Sequence, residues 1–172
     1  MQKIPLNLGF ANMSGEDLEP LVDEDHAALA PLFARVIRPP VRQMPGAHIL
    51  FVYAHLEADG TLRGNVKAGV RQIIQLTKSQ VLVLANANPA ANIVAAGKLP
   101  GPKTANLIFT TNRNGAGFPR LFQLLFEEMA KGKDMLSAWV ALVPQGGRQP
   151  DWVPGTLLLP EAGKLAVPAA AR

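Results

Sequence analysis

The amino-acid sequence predicts an α/β fold, a three-layer α/β/α sandwich around a mostly parallel β-sheet. Three apolar runs, 48–54, 80–85 and 104–110, carry the β-branched and aromatic residues typical of strands that are buried on both faces. Segments with apolar residues at helical spacing separate these runs, and this alternation is typical of parallel βαβ units. With 172 residues, 48% of them hydrophobic and 17% charged, the chain has the size and composition of one globular domain.

The first 47 residues are predicted to be an irregular lead-in with short helices, followed by a core domain at 48–167 and a frayed tail at 168–172. The segment 14–17 is typical of a helix start, because a serine hydroxyl precedes acidic residues. A further helix is expected over 24–37, where apolar residues recur at helical spacing: Leu29, Leu32, Phe33, Val36 and Ile37.

The core domain opens with the strand at 48–54, and the Asp59-Gly60 pair that follows favours a tight turn. A helix is predicted from Asn65, with Arg71 among its solvent-facing residues. Its inward face is predicted to consist of Val66, Val70, Ile73, Ile74 and Thr77.

The second strand, 80–85, precedes a helix that Asn88 is expected to cap and Gly97 to end, with Pro89 at its first position. The third strand, 104–110, leads into the longest helix of the chain. The apolar stripe of this helix consists of Phe118, Leu121, Phe122, Leu125, Phe126 and Met129.

The end of the chain is less regular in its pattern. Residues 135–143 form either a helix or a strand, because the apolar pattern does not decide between the two. Proline and glycine are frequent over 144–154, which predicts a loop. A last strand is expected at 155–159, paired with residues 164–167.

The composition argues against several classes of function. The net charge is +4, but the basic residues are scattered, whereas nucleic-acid binding needs a concentrated patch. The absence of cysteine removes thiolate ligands, and the 3 histidines are far apart, so no metal or other cofactor is predicted. No apolar stretch has the length of a membrane span and no secretory signal follows Met1, so a soluble cytoplasmic protein is expected.

Candidate functional residues follow the three predicted strands. Ligands of an open parallel sheet bind beyond the carboxyl ends of its strands. This rule places His55, Asn86–Asn88 and Thr110–Asn114 along one edge of the sheet. His55 is suited to act as a general base or proton carrier, or else it is a hydrogen-bonded residue that ends its strand.

The other candidates also have two interpretations. Asn86 and Asn88 hold a polar ligand through their amides, or they serve as a turn residue and a helix cap. The segment that precedes the longest helix places polar groups near a helix N-terminus, which favours an anion such as a phosphate or nucleotide. These residues are Thr110, Thr111, Asn112 and Arg113, and their spacing matches neither a P-loop nor a dinucleotide fingerprint.

Three stretches resemble a known family. They are HILFVYAHLEADGTLRG, QVLVLANANP and ANLIFTTNRNGAGFPRLFQLLFEEMAKGKDMLSAWVAL, and they resemble successive elements of the caspase-like fold, specifically of CHAT-type peptidase domains. The resemblance implies that His55 occupies the position of the catalytic histidine and Ala87 that of the nucleophilic cysteine. Asn86 or Asn88 takes that position if the alignment shifts by one residue. Leu56 follows His55, where the family has glycine.

Three functional hypotheses follow. Because hydrolysis in this family needs a thiolate, the resemblance implies a pseudo-peptidase that acts by binding a protein partner, with a homodimer through an edge strand as one form. Apolar candidates for such a surface are Trp139, Trp152 and the helix around 118–126, with core or loop anchors as the favoured role of the two tryptophans. The alternative is a domain that binds a small anionic ligand, a nucleotide or a phosphorylated metabolite. A third hypothesis is an enzyme that uses His55 with Asp59.

Overall fold

The structure is a computed structural model that describes residues 3–64, 67–143 and 150–168. The first two residues of the helix predicted from Asn65 lie outside these ranges. So do part of the predicted loop before the last strand and most of the predicted tail.

A single six-stranded sheet organises the chain, with the strand order β2-β1-β3-β4-β5-β6. The first five strands in this order are parallel to their neighbours, and β6 is antiparallel to β5. The last strand therefore pairs with β5, and the predicted pairing with 164–167 is wrong. The strands are β1 (Ile4–Asn12), β2 (Phe33–Ile37), β3 (Ile49–Tyr53), β4 (Val81–Leu84), β5 (Asn106–Asn112) and β6 (Gly155–Leu159).

Helices cover both faces of this sheet. They are α1 (Glu19–Leu29), α2 (Val70–Thr77), α3 (Ala90–Lys98), α4 (Gly117–Ala130) and α5 (Met135–Leu142). Buried residues of α1, α4 and α5 form one apolar core with the sheet, and those of α2 and α3 form a second core on the other face. The predicted three-layer α/β/α sandwich is confirmed.

β3 shows why the sheet needs both layers. Phe51 and Tyr53 belong to the core under α4, whereas Leu50 and Val52 belong to the core under α2 and α3. All four side chains are buried, as the continuous apolar run predicts for a strand covered on both faces. The ring of Phe51 lies edge-on to that of Phe122, with ring centroids 5.0 Å apart.

The first 47 residues differ from the predicted irregular lead-in, because they supply two strands of the sheet. Alternate residues of β1 are buried: Ile4, Leu6, Leu8 and Phe10. Pro5 and Gly9 obscure this period-two signal, since both residues are unfavourable inside strands. Pro5 precedes the part of β1 that pairs with β3. At Gly9 an added Cβ would lie 2.8 Å from the Cβ of Ala47, so the close packing requires glycine.

α1 and β2 replace the helix predicted over 24–37. α1 starts at Glu19, beyond the predicted helix start, and a 3₁₀ turn at Ala30–Leu32 follows it directly. Pro31 lies in this turn and lacks the N–H that a continuing helix would need. The apolar residues after the turn fit helical spacing, but parallel pairing with β1 overrides that local signal and makes them a strand.

Two details of α2 and α3 also differ from the predictions. Arg71 does not face solvent: its guanidinium is buried, forms an ion pair with Glu161 and donates to the carbonyl of Gly97 at 2.9 Å. Pro89 is the N-cap of α3, and the side chain of Asn88 makes no capping bond. α3 also continues one residue past Gly97.

α4 confirms the predicted apolar stripe, and all six of its residues are buried. The segment 135–143, for which the sequence left helix and strand open, forms the helix α5, and its Trp139 is buried in the same core. Trp152 is half-buried against this core, with the guanidinium of Arg120 4.9 Å from its ring centroid. The favoured role of Trp139 as a core anchor is confirmed, whereas the expectation that the apolar residues of the helix around 118–126 form a partner surface is wrong, because they are buried against the sheet.

Candidate functional site

The pairing of β3 with β4 places His55 opposite Ala87. Ile49 pairs with Val81, and the same offset of 32 positions recurs beyond the strands in hydrogen bonds from Ala54 to Asn86 and from Leu56 to Asn88. Residues 55 and 87 lie between these two bonded pairs. The two positions that the sequence analysis singled out therefore lie at the same level on neighbouring strand ends.

Asn86 and Asn88 fasten the end of β4 to the end of β3. The Asn86 side-chain oxygen accepts from the Ala54 N–H at 2.8 Å, and that of Asn88 accepts from the Leu56 N–H at 2.8 Å. The Asn88 amide also donates to the Ala54 carbonyl at 3.2 Å, and both asparagines are buried. Their side chains are thus engaged by backbone on either side of His55.

His55 is held by an acidic residue that follows β1. Its Nε2 lies 2.8 Å from Oδ2 of Asp17, and the Ser14 hydroxyl donates to the other carboxylate oxygen at 2.8 Å. The hydrogen bond with His55 is the largest cause, and that with Ser14 the next, of a pKa of Asp17 below its usual value. The imidazole is 32% exposed, so it is accessible from solvent.

The pairing of His55 with Asp59, proposed in the enzyme hypothesis, is not present. The Asp59 carboxylate accepts from the Thr61 hydroxyl at 2.6 Å and pairs with Lys67 at 3.2 Å. The hydrogen bonds from Thr61 are the main cause of a pKa of Asp59 of about 2. Asp59 thus stabilises the turn that the Asp-Gly pair predicted.

The segment that ends β5 is divided between buried and exposed groups. Thr110 is buried, its carbonyl accepts from the Asn88 N–H at 2.9 Å, and its hydroxyl has no hydrogen-bond partner within the described part of the chain. Thr111 and Asn112 are exposed. The Thr111 hydroxyl donates to the Gly155 carbonyl at 3.1 Å, which ties β5 to β6.

Arg113 points into the protein and forms a buried ion pair. Its two terminal nitrogens donate to the Asp25 carboxylate at 2.7 and 3.0 Å, and one also donates to the Ala85 carbonyl at 2.7 Å. The guanidinium lies 4.0 Å from the ring centroid of Phe118. Arg113 therefore connects α1, β4 and α4 at the strand ends, and its terminal nitrogens have acceptors within the protein.

Asp25 is fully buried and has a second partner in Tyr53, whose hydroxyl donates to it at 2.7 Å. Burial raises the pKa of the Asp25 carboxyl above its usual value, against the lowering effect of Arg113. Burial also raises the pKa of Tyr53 well above its usual value, with the Asp25 charge as the next cause. The sequence analysis missed both residues: Asp25 lies in the acidic run 23–25, which is typical of a solvent-exposed helix face, and Tyr53 lies inside an apolar strand.

Asn12, at the end of β1, is a further polar residue that the sequence analysis missed. Its side chain accepts from the N–H groups of Ser14 and Gly15 at 3.1 and 2.9 Å, and it donates to Glu19. It thereby fixes the turn that carries Asp17 to His55. Its position after alternating apolar residues would have indicated it, had β1 been recognised as a strand.

Among the described residues, two grooves lie near this edge, both lined in part by residues of 57–64 and 67–68. One, of about 360 Å³, is lined by the paired charges Glu57, Asp59, Arg63 and Lys67. The other, of about 500 Å³, runs between the turn after β1, the loop after β2, and α2. Arg113 lines neither groove.

Within the described ranges, no group of three potential ligands could hold a metal ion. No helix in these ranges is both long and apolar enough to cross a membrane. Comparison with known proteins gives no match to any protein-family model, curated protein or solved structure. The class that the fold defines is an α/β sandwich with a six-stranded, mostly parallel sheet and a polar site at its carboxyl edge.

Proposed function

We propose that this chain is a non-catalytic, caspase-like domain that binds a protein partner at the carboxyl edge of its sheet. The observation that carries the proposal is the placement of His55 opposite Ala87 on neighbouring parallel strands. The family resemblance requires this arrangement of its histidine and nucleophile positions.

The residues at this edge favour binding over peptide hydrolysis. Ala87 is exposed but has no nucleophilic atom, and the chain contains no cysteine elsewhere. Asn86 and Asn88 are buried and bonded to the neighbouring strand, so neither is free to take over the role of a nucleophile. What the edge offers to a partner is a half-exposed imidazole, fixed by Asp17, beside a small apolar residue.

A small anionic ligand has less support as the alternative. That proposal depends on Arg113, and both of its terminal nitrogens already donate to Asp25 or to backbone. The amides of Asn86 and Asn88 are likewise engaged.

A second copy of this chain is one form that the protein partner can take, because β6 is an edge strand with an exposed Leu157. Sedimentation velocity of the purified protein tests that form.

The first experiment tests the geometry of the site through an introduced thiol. Because the chain has no cysteine, Ala87→Cys carries one thiol, and Ala34→Cys provides a control at another exposed alanine. A thiolate beside a histidine forms more readily, so we expect iodoacetamide to alkylate Ala87→Cys about tenfold faster near neutral pH. Adding His55→Ala should return the rate to that of the control. Equal rates in both single variants would contradict the proposed site.

The second experiment tests partner binding itself. A benzophenone amino acid at position 87, or at position 34 as control, is irradiated in extract of the source cells. We expect a discrete cross-linked protein from position 87 alone, identified by mass spectrometry and competed away by unlabelled wild-type protein. The same products from both positions, or none from position 87, would show that this edge is not a binding surface.

A further inference from the structure

The groove of about 500 Å³ is an apolar surface feature outside the His55 site. Its volume is within the range of ligand-binding pockets, roughly 300–1,000 Å³. It adjoins the site through Ser14, which lines the groove and donates to Asp17. The described residues that line it are Met13, Ser14, Arg42, Met44, Leu62, Arg63, Gly64, Ala68, Ile73 and Leu76.

The apolar side chains at this groove are exposed to solvent, and one of them lies on the outer face of a helix, where polar residues are usual. Leu76 on α2 is 74% exposed, the largest exposure among the exposed large hydrophobic residues of the described chain. Val41, next to the lining residue Arg42, is exposed as well. Met13 and Met44 are half-buried at the groove, and their flexible thioether side chains adapt to apolar partners of different shape.

The charged part of the groove is entirely basic. Arg42 and Arg63 line it, and no acidic residue does so within the described ranges. Arg63 pairs with Glu57, whereas Arg42 forms no ion pair with any residue that the structure describes. The Arg42 backbone has a positive φ of 66° and donates its N–H to the Asn12 carbonyl at 2.7 Å. Its backbone is thus fixed beside the groove, and its guanidinium is available to an anionic group.

We propose that this groove binds an acidic peptide segment of the protein partner, with a leucine-like side chain over Leu76 and the two methionines and a carboxylate on Arg42. The inference rests on the proposed function in that its ligand belongs to a protein partner. Charge complementarity selects an acidic segment, because no acidic residue lines the groove within the described ranges and Arg42 is not paired with any described residue, whereas Arg63 is paired with Glu57. The exposed apolar side chains select a segment that also carries leucine-like residues.

The test measures fluorescence anisotropy with a fluorescein-labelled, acetylated hexapeptide of alternating leucine and glutamate. We expect submillimolar binding to the wild-type chain. Arg42→Gln and Leu76→Ser should each weaken it about tenfold, the loss of one charged hydrogen bond or one apolar contact. Matched controls on exposed positions elsewhere, Arg35→Gln and Val94→Ser, should leave the affinity unchanged. Peptides with glutamine for glutamate, or serine for leucine, should bind about tenfold more weakly.

Several outcomes would overturn the inference. They are a wild-type dissociation constant above about 1 mM, equal binding by the glutamine peptide, or unchanged affinity in Leu76→Ser. Conversion of a wild-type dimer to monomer by Leu76→Ser, seen in sedimentation velocity, would assign the groove to a second copy of the chain instead. Failure of the proposed function is distinguishable, because it removes cross-linking from position 87 and leaves peptide binding at the groove intact.

Discussion

Single residues determine the geometry of the candidate site, because the side chains of His55, Asn86 and Asn88 each bond to the backbone or to one defined partner. His55 is oriented by Asp17, and the turn around Asp17 is fixed by Asn12. Asn86 and Asn88 hold the backbone on either side of His55. The imidazole is therefore positioned from two sides, although the position opposite it carries no nucleophile.

The pKa of Asp17 provides a test of the His55 contact. We expect His55→Ala to raise this pKa toward its usual value, because the hydrogen bond with His55 is the main cause of its depression. Ser14→Ala should raise it by less, since its bond is the smaller cause. Titration of the carboxyl carbon by NMR measures both shifts. A pKa of Asp17 that is the same in wild type and His55→Ala would show that the contact does not persist in solution.

Gly60 is a second position where one residue decides the local structure. It has φ of +82°, and an added Cβ would lie 2.2 Å from the backbone nitrogen of Ala96. Gly60→Ala should therefore destabilise the fold by about 3 kcal/mol or more, since backbone would have to move. Gly115→Ala is the control, because its φ of +54° is also positive but its surroundings are open. Urea unfolding should show a loss of only about 1 kcal/mol there, and equal losses would argue against the clash.

At the scale of elements, the predictable part of the fold is the part whose residues carry one clear pattern. β3, β4 and α4 are buried along continuous runs or a single stripe, and these were predicted correctly. β1 and β2 were not predicted. Pro5 and Gly9 weaken the strand signal of β1, and the apolar residues of β2 also fit helical spacing. The secondary structure of such segments is decided by pairing with strands that are distant in the sequence, and a local sequence pattern carries no information about that pairing.

The candidate site divides in the same way. Its location at the strand ends could be predicted, because parallel strands place their carboxyl ends along one edge. The roles of Asn88 and Arg113 could not, because their partners lie 34 and 88 positions away in the sequence. Asp17 was missed as the partner of His55, since their contact depends on the unpredicted neighbourhood of β1 and β3.

The ion pair that joins α1 to the end of β5 supports a prediction at this scale. Arg113→Ala leaves Asp25 fully buried without its cation, so we expect a loss of about 3–5 kcal/mol at neutral pH. Burial already raises the pKa of Asp25, and removal of Arg113 should raise it further. At low pH the Asp25 carboxyl of the folded variant is protonated and needs no cation, so the loss of stability should be small. As the pH rises through the raised pKa, folding holds an unpaired charge in the interior, and the loss should grow.

Urea denaturation at about pH 5 and about pH 7.5 measures this dependence. Arg120→Ala is the matched control, because Arg120 also stacks on an aromatic ring but is exposed and has no buried anionic partner among the described residues. It should lose less than about 1 kcal/mol at both values of pH. A pH-independent loss in Arg113→Ala would mean that Asp25 does not change protonation in this range.

At the scale of the whole molecule, one sheet joins the first 47 residues to the rest of the chain. β1 lies between β2 and β3, so the predicted boundary between residues 47 and 48 separates strands that are neighbours in the sheet. The core on one face also combines Leu8 and Phe10 of β1 with residues of α4. The first 47 residues are thus part of the structure that positions His55, and they also carry Asp17.

Removal of residues 1–47 tests this unity. The fragment 48–172 would expose the edge of β3 and the core surface that β1 covers, so we expect no cooperative urea transition and little near-ultraviolet circular dichroism. A synthetic peptide of residues 1–47, added in equimolar amount, should restore both signals, because β1 would pair again between β2 and β3. In the peptide, Leu8→Asp should prevent this restoration, since Leu8 is fully buried in the core. If the fragment 48–172 alone unfolds cooperatively with the stability of the whole chain, then β1 is an accessory to a self-sufficient core, and the site must be held together by β3, β4 and β5 without it.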